Sequence, residues 1–427
     1  MSAIERLPEI GNGLLRFLTC GSVDDGKSTL IGRLLYDSKA ILADTLGAIA
    51  RSSQRRGLSA VDLSLLTDGL QAEREQGITI DVAYRYFTSG RRKYIVADAP
   101  GHEQYTRNMV TAASTADLAI ILVDARRGVL GQTRRHATIA HLMGISQVVV
   151  AINKMDLVGH SEQRFDEIVA DYLAFARHSG VNDAGCTPRF IPISALNGDM
   201  IVEHGANLHW YHGPTLIEAL ESAPAARVEA DPRLRFPVQY VCRPQTPEHR
   251  DFRGYMGRIE SGGISLGDTV TVLPAGQAAR VTDIQVFGRS RSRASAGQSV
   301  SLLLDKHIDI SRGDMIVKSE GAPKVAKELE AMVCWLGERP LDPRRNYLLR
   351  HTTRESRASV TAISHRLDIN TLAREPAAQL LTNDIARVKF KLSQALCVDA
   401  YTENRATGAF VVIDESSNHT VGAGMIL

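Results

Sequence analysis

The chain has 427 residues, more than one hydrophobic core normally supports, so its length predicts about two to four domains. Apolar residues make up 44% and charged residues 23% of the sequence, as in ordinary globular proteins. The net charge of +2 gives no general bias towards nucleic acid or anionic membranes, and no stretch approaches the ~18 apolar residues of a membrane helix. We therefore expect no membrane association and no nucleic-acid partner.

The cysteines indicate a reducing environment. The chain has five of them, scattered and never in C-x-x-C spacing: Cys20, Cys186, Cys242, Cys334 and Cys397. This pattern predicts neither a disulfide framework nor a zinc site. Together with the absence of a signal-peptide pattern in residues 1–11, it predicts a cytoplasmic protein.

A glycine-rich loop lies near the start of the chain. Residues 21–28 match G-x-x-x-x-G-K-[ST], after an apolar run at 14–20 and before a helical pattern at 29–35. Backbone N–H groups of such a loop converge on phosphate oxygens, and the helix N-terminus adds partial positive charge. The residues expected to bind phosphate are Gly21, Ser22, Val23, Asp24, Asp25, Gly26, Lys27, Ser28 and Thr29. Lys27 would carry the charge to the β- and γ-phosphates, and the Ser28 hydroxyl would bind Mg²⁺.

Strands and helices then alternate, which predicts a doubly wound α/β domain with its ligand at the carboxyl ends of the strands. The predicted strands are 82–88, 94–97, 118–123, 147–152 and 189–193, and the predicted helices are 133–143, 161–178 and 215–221. The runs at 118–123 and 147–152 are continuously apolar, as expected of parallel strands buried on both faces.

Two of these strands end in polar motifs. Asp98 opens a D-x-P-G segment, where its carboxylate is expected to hold Mg²⁺ and the Gly101 N–H to approach a γ-phosphate. The second motif reads Asn153-Lys154-Met155-Asp156. A carboxylate there accepts from N1–H and the 2-amino group of guanine, which adenine lacks. Lys154 would lay its stem on the purine face.

The motifs in this order predict a GTP site. The guanine-binding residues are expected to be Asn153, Lys154, Asp156, Ser194, Ala195 and Leu196, where the main chain at Ser194 and Ala195 offers an N–H to the guanine O6. Hydrolysis needs an oriented water. His102 is the candidate for this catalytic role alongside Lys27, although it could instead cap the next helix. Thr79 is the candidate second hydroxyl on Mg²⁺.

The second half changes to short alternating strands separated by glycine turns, which predicts two all-β barrels. The predicted strands of the first are 236–241, 257–261, 268–273, 281–287, 298–304 and 315–317, and those of the second are 332–336, 347–351, 359–364, 386–392 and 408–414. The predicted domains are residues 1–228, a GTP-binding P-loop domain; 233–321, the first barrel; and 326–427, the second barrel.

These motifs resemble the translation-factor class of GTPases, which contains elongation factors Tu and 1-alpha. Residues 73–81 are similar to the switch I of that class, and Asp98–His102 to its switch II. The resemblance implies that Val23 and Ile78 form an apolar gate beside His102. It also implies two β-barrels after the GTPase domain.

Within that class, the chain most resembles the large GTPase subunits of bacterial sulfate adenylyltransferase. The segments that carry the resemblance are 22–28, 81–87, 251–255 and 399–408. In the first of them, Asp25 stands where elongation factors have His.

This resemblance implies an enzyme subunit that hydrolyses GTP with Mg²⁺ in a heterodimer. The smaller partner would transfer the adenylyl group of ATP to sulfate, giving adenosine 5′-phosphosulfate and pyrophosphate for sulfate assimilation and cysteine biosynthesis. ATP and sulfate sites are expected on that partner. The alternative is an elongation factor 1-alpha-like carrier of aminoacyl-tRNA. Asp25, the near-neutral charge and the barrel sequences argue against it.

Overall fold

The computed structural model describes residues 13–41, 44, 46, 47, 49, 63–66, 81–102, 105–179, 187–224, 231–244, 252–368 and 373–427. The chain forms two compact units. The first covers Met1–Ala226, and the second covers Arg227–Asp368 and Leu372–Leu427. None of the helices in the described ranges is long and apolar enough to cross a membrane.

The first unit is built on a six-stranded sheet in the order β2-β3-β1-β4-β5-β6. Its strands are β1 (Leu14–Cys20), β2 (Ala83–Thr88), β3 (Lys93–Asp98), β4 (Leu118–Asp124), β5 (Gln147–Asn153) and β6 (Arg189–Pro192). Strand β2 is antiparallel to β3, and the other pairs are parallel. Because β1 and β3–β6 are parallel, their carboxyl ends meet at one edge of the sheet, where α/β domains bind ligands.

Helices cover this sheet. The described ones are α1 (Lys27–Asp37), α2 (Thr106–Thr115), α3 (Gly131–Leu142), α4 (Glu162–Ser179) and α5 (Leu216–Ser222), with short 3₁₀ turns at Leu63–Leu66 and Met155–Val158. The predicted helices lie within two residues of α3, α4 and α5. Every residue of β4 is buried, which fits its continuously apolar sequence.

The second unit contains a first closed barrel. Its strands are β7 (Phe236–Cys242), β8 (Gly254–Arg258), β9 (Gly263–Ser265), β10 (Thr269–Leu273), β11 (Gln277–Val286), β12 (Arg289–Ser290), β13 (Arg293–Ser295), β14 (Ser299–Leu304) and β15 (Met315–Val317). The order β10-β15-β7-β8-β14-β11 closes on itself because β10 also pairs with β11, and β12 extends from β11. Strands β9 and β13 form a separate pair. Apolar side chains fill the interior, among them Phe236, Tyr255 and Leu302.

A second closed barrel follows. Its elements are β16 (Lys324–Trp335), β17 (Asn346–His351), β18 (Arg354–Leu367), β19 (Arg374–Glu375), β20 (Ile385–Val398), β21 (Ala409–Asp414) and β22 (Thr420–Ile426), with a single helical turn α6 (Arg405–Gly408). The order β17-β21-β22-β16-β20-β18 closes through pairing of β17 with β18. The predicted fold class, an α/β P-loop domain followed by two β-barrels, is therefore confirmed. The residue limits of the three predicted domains stay predictions.

A buried ion pair joins segments of the two barrels. Arg235, just before β7, donates from Nε and Nη2 to the two carboxylate oxygens of Asp399, each over 2.7 Å. The Arg235 side chain is 0% exposed and that of Asp399 is 4% exposed. Thr407 donates its hydroxyl to the same carboxylate over 2.5 Å. The bidentate geometry satisfies both charges away from water.

The structure differs from the sequence prediction at several barrel strands, among them β8 and β22. The strand predicted at 257–261 lies at Gly254–Arg258, where a Cβ on Gly254 would come within 2.5 Å of Ser301 Oγ. Strand β22 was not predicted, because its two glycines weaken the strand pattern. A Cβ on Gly424 would lie 2.2 Å from the Phe410 ring, so the aromatic ring occupies the space that glycine leaves.

Candidate functional site

The glycine-rich loop connects β1 to α1, as predicted. Gly26 is the residue before the helix and has φ 93°, a left-handed conformation that favours glycine. A Cβ at Gly26 would also lie 2.4 Å from Nδ2 of Asn153. Gly26 has no side chain to cap α1, so the N–H groups of the first turn remain available for an anion.

Lys27 lies across the loop and is buried. Its ammonium donates to the carbonyl oxygens of Gly21 at 3.0 Å and Ser22 at 2.8 Å. Burial lowers the pKa of the Lys27 amine, and the nearby carboxylates of Asp98 and Asp25 act against that change. The charge is thus positioned at the loop, where phosphate oxygens are its natural partners.

Asp25 stabilises the loop through a hydrogen bond between its side chain and the loop backbone. It is 1% exposed, and its Oδ2 accepts a hydrogen bond of 2.6 Å from the Ser22 amide. Its Oδ1 is buried and has no hydrogen-bond partner among the described residues. Burial raises the pKa of this carboxyl group, while the charge of Lys27 opposes the increase.

The D-x-P-G segment lies directly against the loop. Asp98 is buried at the end of β3, and its Oδ1 accepts a weak hydrogen bond from Thr19 at 3.4 Å. A Cβ on Gly101 would lie 2.5 Å from Lys27 Nζ and 2.7 Å from the Gly21 carbonyl oxygen. Only a residue without a side chain fits this approach.

His102 follows this close contact and is exposed. Its ring packs edge-on against Tyr105, with 6.1 Å between the ring centroids, and its carbonyl accepts from the Tyr105 amide at 3.0 Å. The structure therefore brings Lys27, Gly101 and His102 to one edge of the sheet. Two predicted site residues, Ile78 and Thr79, lie outside the described residues.

The predicted guanine motif begins at the end of β5. Asn153 donates from Nδ2 to the Asp25 carbonyl at 2.8 Å, and its Oδ1 accepts from the Ala195 amide at 2.9 Å. Ser194 donates its hydroxyl to Oδ1 of Asp156 at 2.7 Å. The two sequence segments predicted to bind the base are therefore in contact with each other and with the phosphate loop.

Asp124 was not predicted as part of this site. It ends β4, and its Oδ2 forms an ion pair with Lys154 Nζ at 3.1 Å. Lys154 also donates to the carbonyl of Asp24. Burial raises the pKa of Asp124, but hydrogen bonds from Arg126 and Lys154 outweigh it and hold that pKa below its usual range. Its position at the end of an apolar strand was the sequence signal that could have identified it.

Gln132 and His136 on α3 were also missed. Gln132 donates from Nε2 to the Gly101 carbonyl at 3.0 Å, and the same nitrogen lies 3.3 Å from His136 Nε2. His136 is 2% exposed. Two polar residues four apart on the inner side of a helix were the available signal.

The chain is similar to proteins of known families over nearly its whole length. Residues 12–225 match the family described as Elongation factor Tu GTP binding domain, and residues 328–427 match GTP-eEF1A C-terminal domain-like. Sulfate adenylyltransferase subunit 1 of Colwellia psychrerythraea is 51% identical over 97% of this chain and 87% of its own length. The same-named protein of Vibrio vulnificus is 51% identical over 97% and 86%. Bifunctional enzyme CysN/CysC of Mycobacterium tuberculosis is 50% identical over 97% and 67%.

Proposed function

Because the chain belongs to the sulfate adenylyltransferase subunit 1 family, we propose that it is the GTP-hydrolysing subunit of a sulfate adenylyltransferase. Its GTP hydrolysis drives formation of adenosine 5′-phosphosulfate and pyrophosphate from ATP and sulfate, and the adenylyl transfer takes place on a partner subunit. The observation that best supports the GTPase assignment is the pair of hydrogen bonds made by the Asn153 side-chain amide. One joins it to Asp25 in the glycine-rich loop, and the other to Ala195 in the segment proposed to bind guanine.

In this proposal Asp156 reads the base. Its carboxylate accepts from N1–H and the 2-amino group of guanine. The Ser194 hydroxyl, which donates to Asp156 Oδ1, orients that carboxylate. Asp124 anchors the Lys154 ammonium, so the Lys154 stem is held in one conformation for packing on the purine face. Ala195 and Leu196 complete the base-binding segment.

The loop binds the phosphates. Lys27 exchanges its contacts with the Gly21 and Ser22 carbonyls for phosphate oxygens, which are stronger charge-assisted acceptors. The Ser28 hydroxyl and the buried Asp98 carboxylate are oxygen donors, the ligand type that Mg²⁺ prefers, so these residues fit the ion. Bound Mg²⁺ would neutralise charge on the β- and γ-phosphates. Thr79 is the proposed further hydroxyl ligand.

His102 orients the attacking water in this proposal. The close contact of Gly101 with the loop supports this role, because it keeps the segment that carries His102 against the loop proposed to bind the polyphosphate. Its exposed ring is open to solvent, from which the water comes. Val23 and Ile78 are the proposed apolar gate that limits the approach of His102 before hydrolysis.

The partner is a smaller catalytic subunit in a heterodimer. The words "subunit 1" in the names of the relatives support a partner, and the proposed ATP and sulfate sites lie on it. We also propose a cytoplasmic setting, which the four unbonded cysteines of the described ranges support. The proposed domain limits remain 1–228, 233–321 and 326–427.

The test is a coupled assay of the purified complex. GTP turnover and adenosine 5′-phosphosulfate formation are measured together, with ATP and sulfate supplied or withheld. We expect His102→Ala to lower both rates while GDP binding persists, and the exposed control His204→Ala to change neither. Turnover that ignores ATP and sulfate but is stimulated by ribosomes would contradict the sulfate function and favour the elongation factor 1-alpha-like alternative.

A further inference from the structure

A chain of two hydrogen bonds runs from the buried face of α3 to the segment that carries His102. The Gln132 amide nitrogen lies 3.0 Å from the Gly101 carbonyl oxygen and 3.3 Å from His136 Nε2. The Gly101 oxygen can only accept, so the atom that faces it must be the NH₂ group of Gln132. That group has two protons, one for each of these contacts.

This assignment fixes the tautomer of His136. Because the Gln132 nitrogen only donates, His136 Nε2 must accept, and the proton of the neutral ring is on Nδ1. His136 is 2% exposed, and burial together with the charge of Lys27 lowers its pKa to about 3. The ring therefore stays a neutral acceptor throughout the physiological pH range.

The buried Nδ1–H has no hydrogen-bond partner among the described residues. An unsatisfied buried donor is costly, so a histidine kept only for packing would be a poor choice at this position. An apolar side chain would fill the same space without that cost. What the histidine adds is the acceptor at Nε2, aimed at Gln132.

Holding the Gly101 carbonyl also orients His102. In a trans peptide the carbonyl oxygen and the next N–H point in opposite directions, so the Gln132 contact sets the direction of the His102 amide. The next peptide is fixed as well, because the His102 carbonyl accepts from Tyr105 at 3.0 Å. The main chain of His102 is thus held on both sides.

We propose that Gln132 and His136 are positioning residues for GTP hydrolysis: His136 orients the Gln132 amide, and Gln132 holds the Gly101–His102 peptide in its productive orientation. This inference rests on the proposed GTPase function. Gln132 and His136 act on the Gly101–His102 peptide and not on the nucleotide itself. Replacing either side chain should therefore slow hydrolysis more than it weakens nucleotide binding.

The test uses the full chain in complex with its smaller subunit and compares four variants. Gln132→Glu keeps the shape but removes the donor to Gly101, and His136→Leu removes the acceptor. His136→Gln restores an acceptor at a similar distance from the backbone. Gln163→Glu is the matched control, because Gln163 lies exposed on α4 and its side-chain amide donates to Glu167, away from the Gly101–His102 segment.

We expect Gln132→Glu and His136→Leu to slow single-turnover GTP hydrolysis by about ten- to hundredfold, as for a small displacement of a catalytic group. The GDP dissociation constant should stay within about twofold of the parent, since the P-loop is untouched. His136→Gln should recover most of the rate, and Gln163→Glu should match the parent.

Two results would overturn the inference while leaving the proposed function intact. One is a parent-like hydrolysis rate in folded Gln132→Glu. The other is a parallel loss of hydrolysis, GDP affinity and thermal stability in both variants without recovery in His136→Gln, which would indicate a structural role only. A parent complex that does not hydrolyse GTP would instead refute the proposed function itself.

Discussion

Asn153 donates a hydrogen bond from its side-chain amide to the main-chain carbonyl of Asp25 over 2.8 Å. The other end of the same amide accepts from the Ala195 amide. One side chain therefore couples the segment that reads the base to the loop that binds the phosphates, and neither can shift without disturbing the other.

Replacing this amide should weaken binding of the whole nucleotide. Asn153→Ala leaves the Asp25 carbonyl and the Ala195 amide without their partner. At the usual cost of unsatisfied buried groups, we expect GTP and GDP affinities to fall by about 10- to 100-fold. Titration with a fluorescent nucleotide measures this loss, and exposed Asn197→Ala is the control. Equal affinities in Asn153→Ala and the parent would rule out the coupling.

Asp156→Asn should change the base that is bound. An amide at this position donates where the carboxylate accepted, so it matches the 2-oxo group of xanthine and no longer the 2-amino group of guanine. We expect preference to move from GTP to xanthosine triphosphate, measured as the ratio of the two dissociation constants. Retention of the GTP preference would contradict the assignment of Asp156.

Gly101→Ala should impair hydrolysis through steric contact alone. Gly101 has no positive φ, so its backbone accepts alanine, but the new Cβ would lie 2.7 Å from the Gly21 carbonyl oxygen. The segment must move away from the loop, and His102 moves with it. We expect a lower single-turnover rate with unchanged thermal unfolding. A rate equal to that of the parent would show that the contact does not matter for hydrolysis.

Asp399→Asn should destabilise the second unit in a pH-dependent way. Burial raises the pKa of Asp399, but hydrogen bonds from Arg235 and Thr407 outweigh it and lower that pKa below its usual value. The carboxylate therefore stabilises the fold above the unfolded pKa of about 4, and this contribution disappears as pH falls through the lowered pKa. Leaving Arg235 buried and unpaired should cost about 3–5 kcal/mol at neutral pH.

Urea unfolding at neutral pH and at pH values below about 4 checks this expectation. The difference between Asp399→Asn and the parent should shrink as the pH approaches the lowered pKa. Asp309→Asn is the control, because the Asp309 side chain is fully exposed. A variant as stable as the parent at pH 7 would show that the ion pair contributes nothing net.

The parts of this structure that the sequence predicts are those with a strong local pattern of residues. The loop at Gly21–Ser28 and the buried strand β4 carry strong local patterns, and both are where the sequence predicts them. Strand β22 lacks such a pattern because it contains Gly424, whose missing side chain leaves room for the Phe410 ring of the neighbouring strand β21. From the sequence alone, such a glycine favours the prediction of a turn. Only the structure shows that it makes room for a side chain on the paired strand.

The same limit applies to the site. The motif residues Lys27, Asn153 and Asp156 each follow from a short pattern with a known chemical purpose. The bond from Gln132 to Gly101 joins residues 31 apart, and its meaning depends on which carbonyl faces α3. Spacing along the chain carries no information about that direction, so the tertiary structure is needed to find it.

Closure of the two barrels has a consequence for how other proteins can recognise the second unit. Each ring pairs all of its six strands on both sides, and only the two-residue strands β12 and β19 extend from a ring. No strand of either ring leaves a whole side unpaired, so an incoming chain can extend a ring by β-augmentation only where one strand runs past its neighbour. The segment 324–330 of β16 is such a place, because it pairs with β20 but not with β22. Elsewhere on the rings, recognition relies on side chains and loops, which substitutions can alter without disturbing the hydrogen-bonded rings beneath.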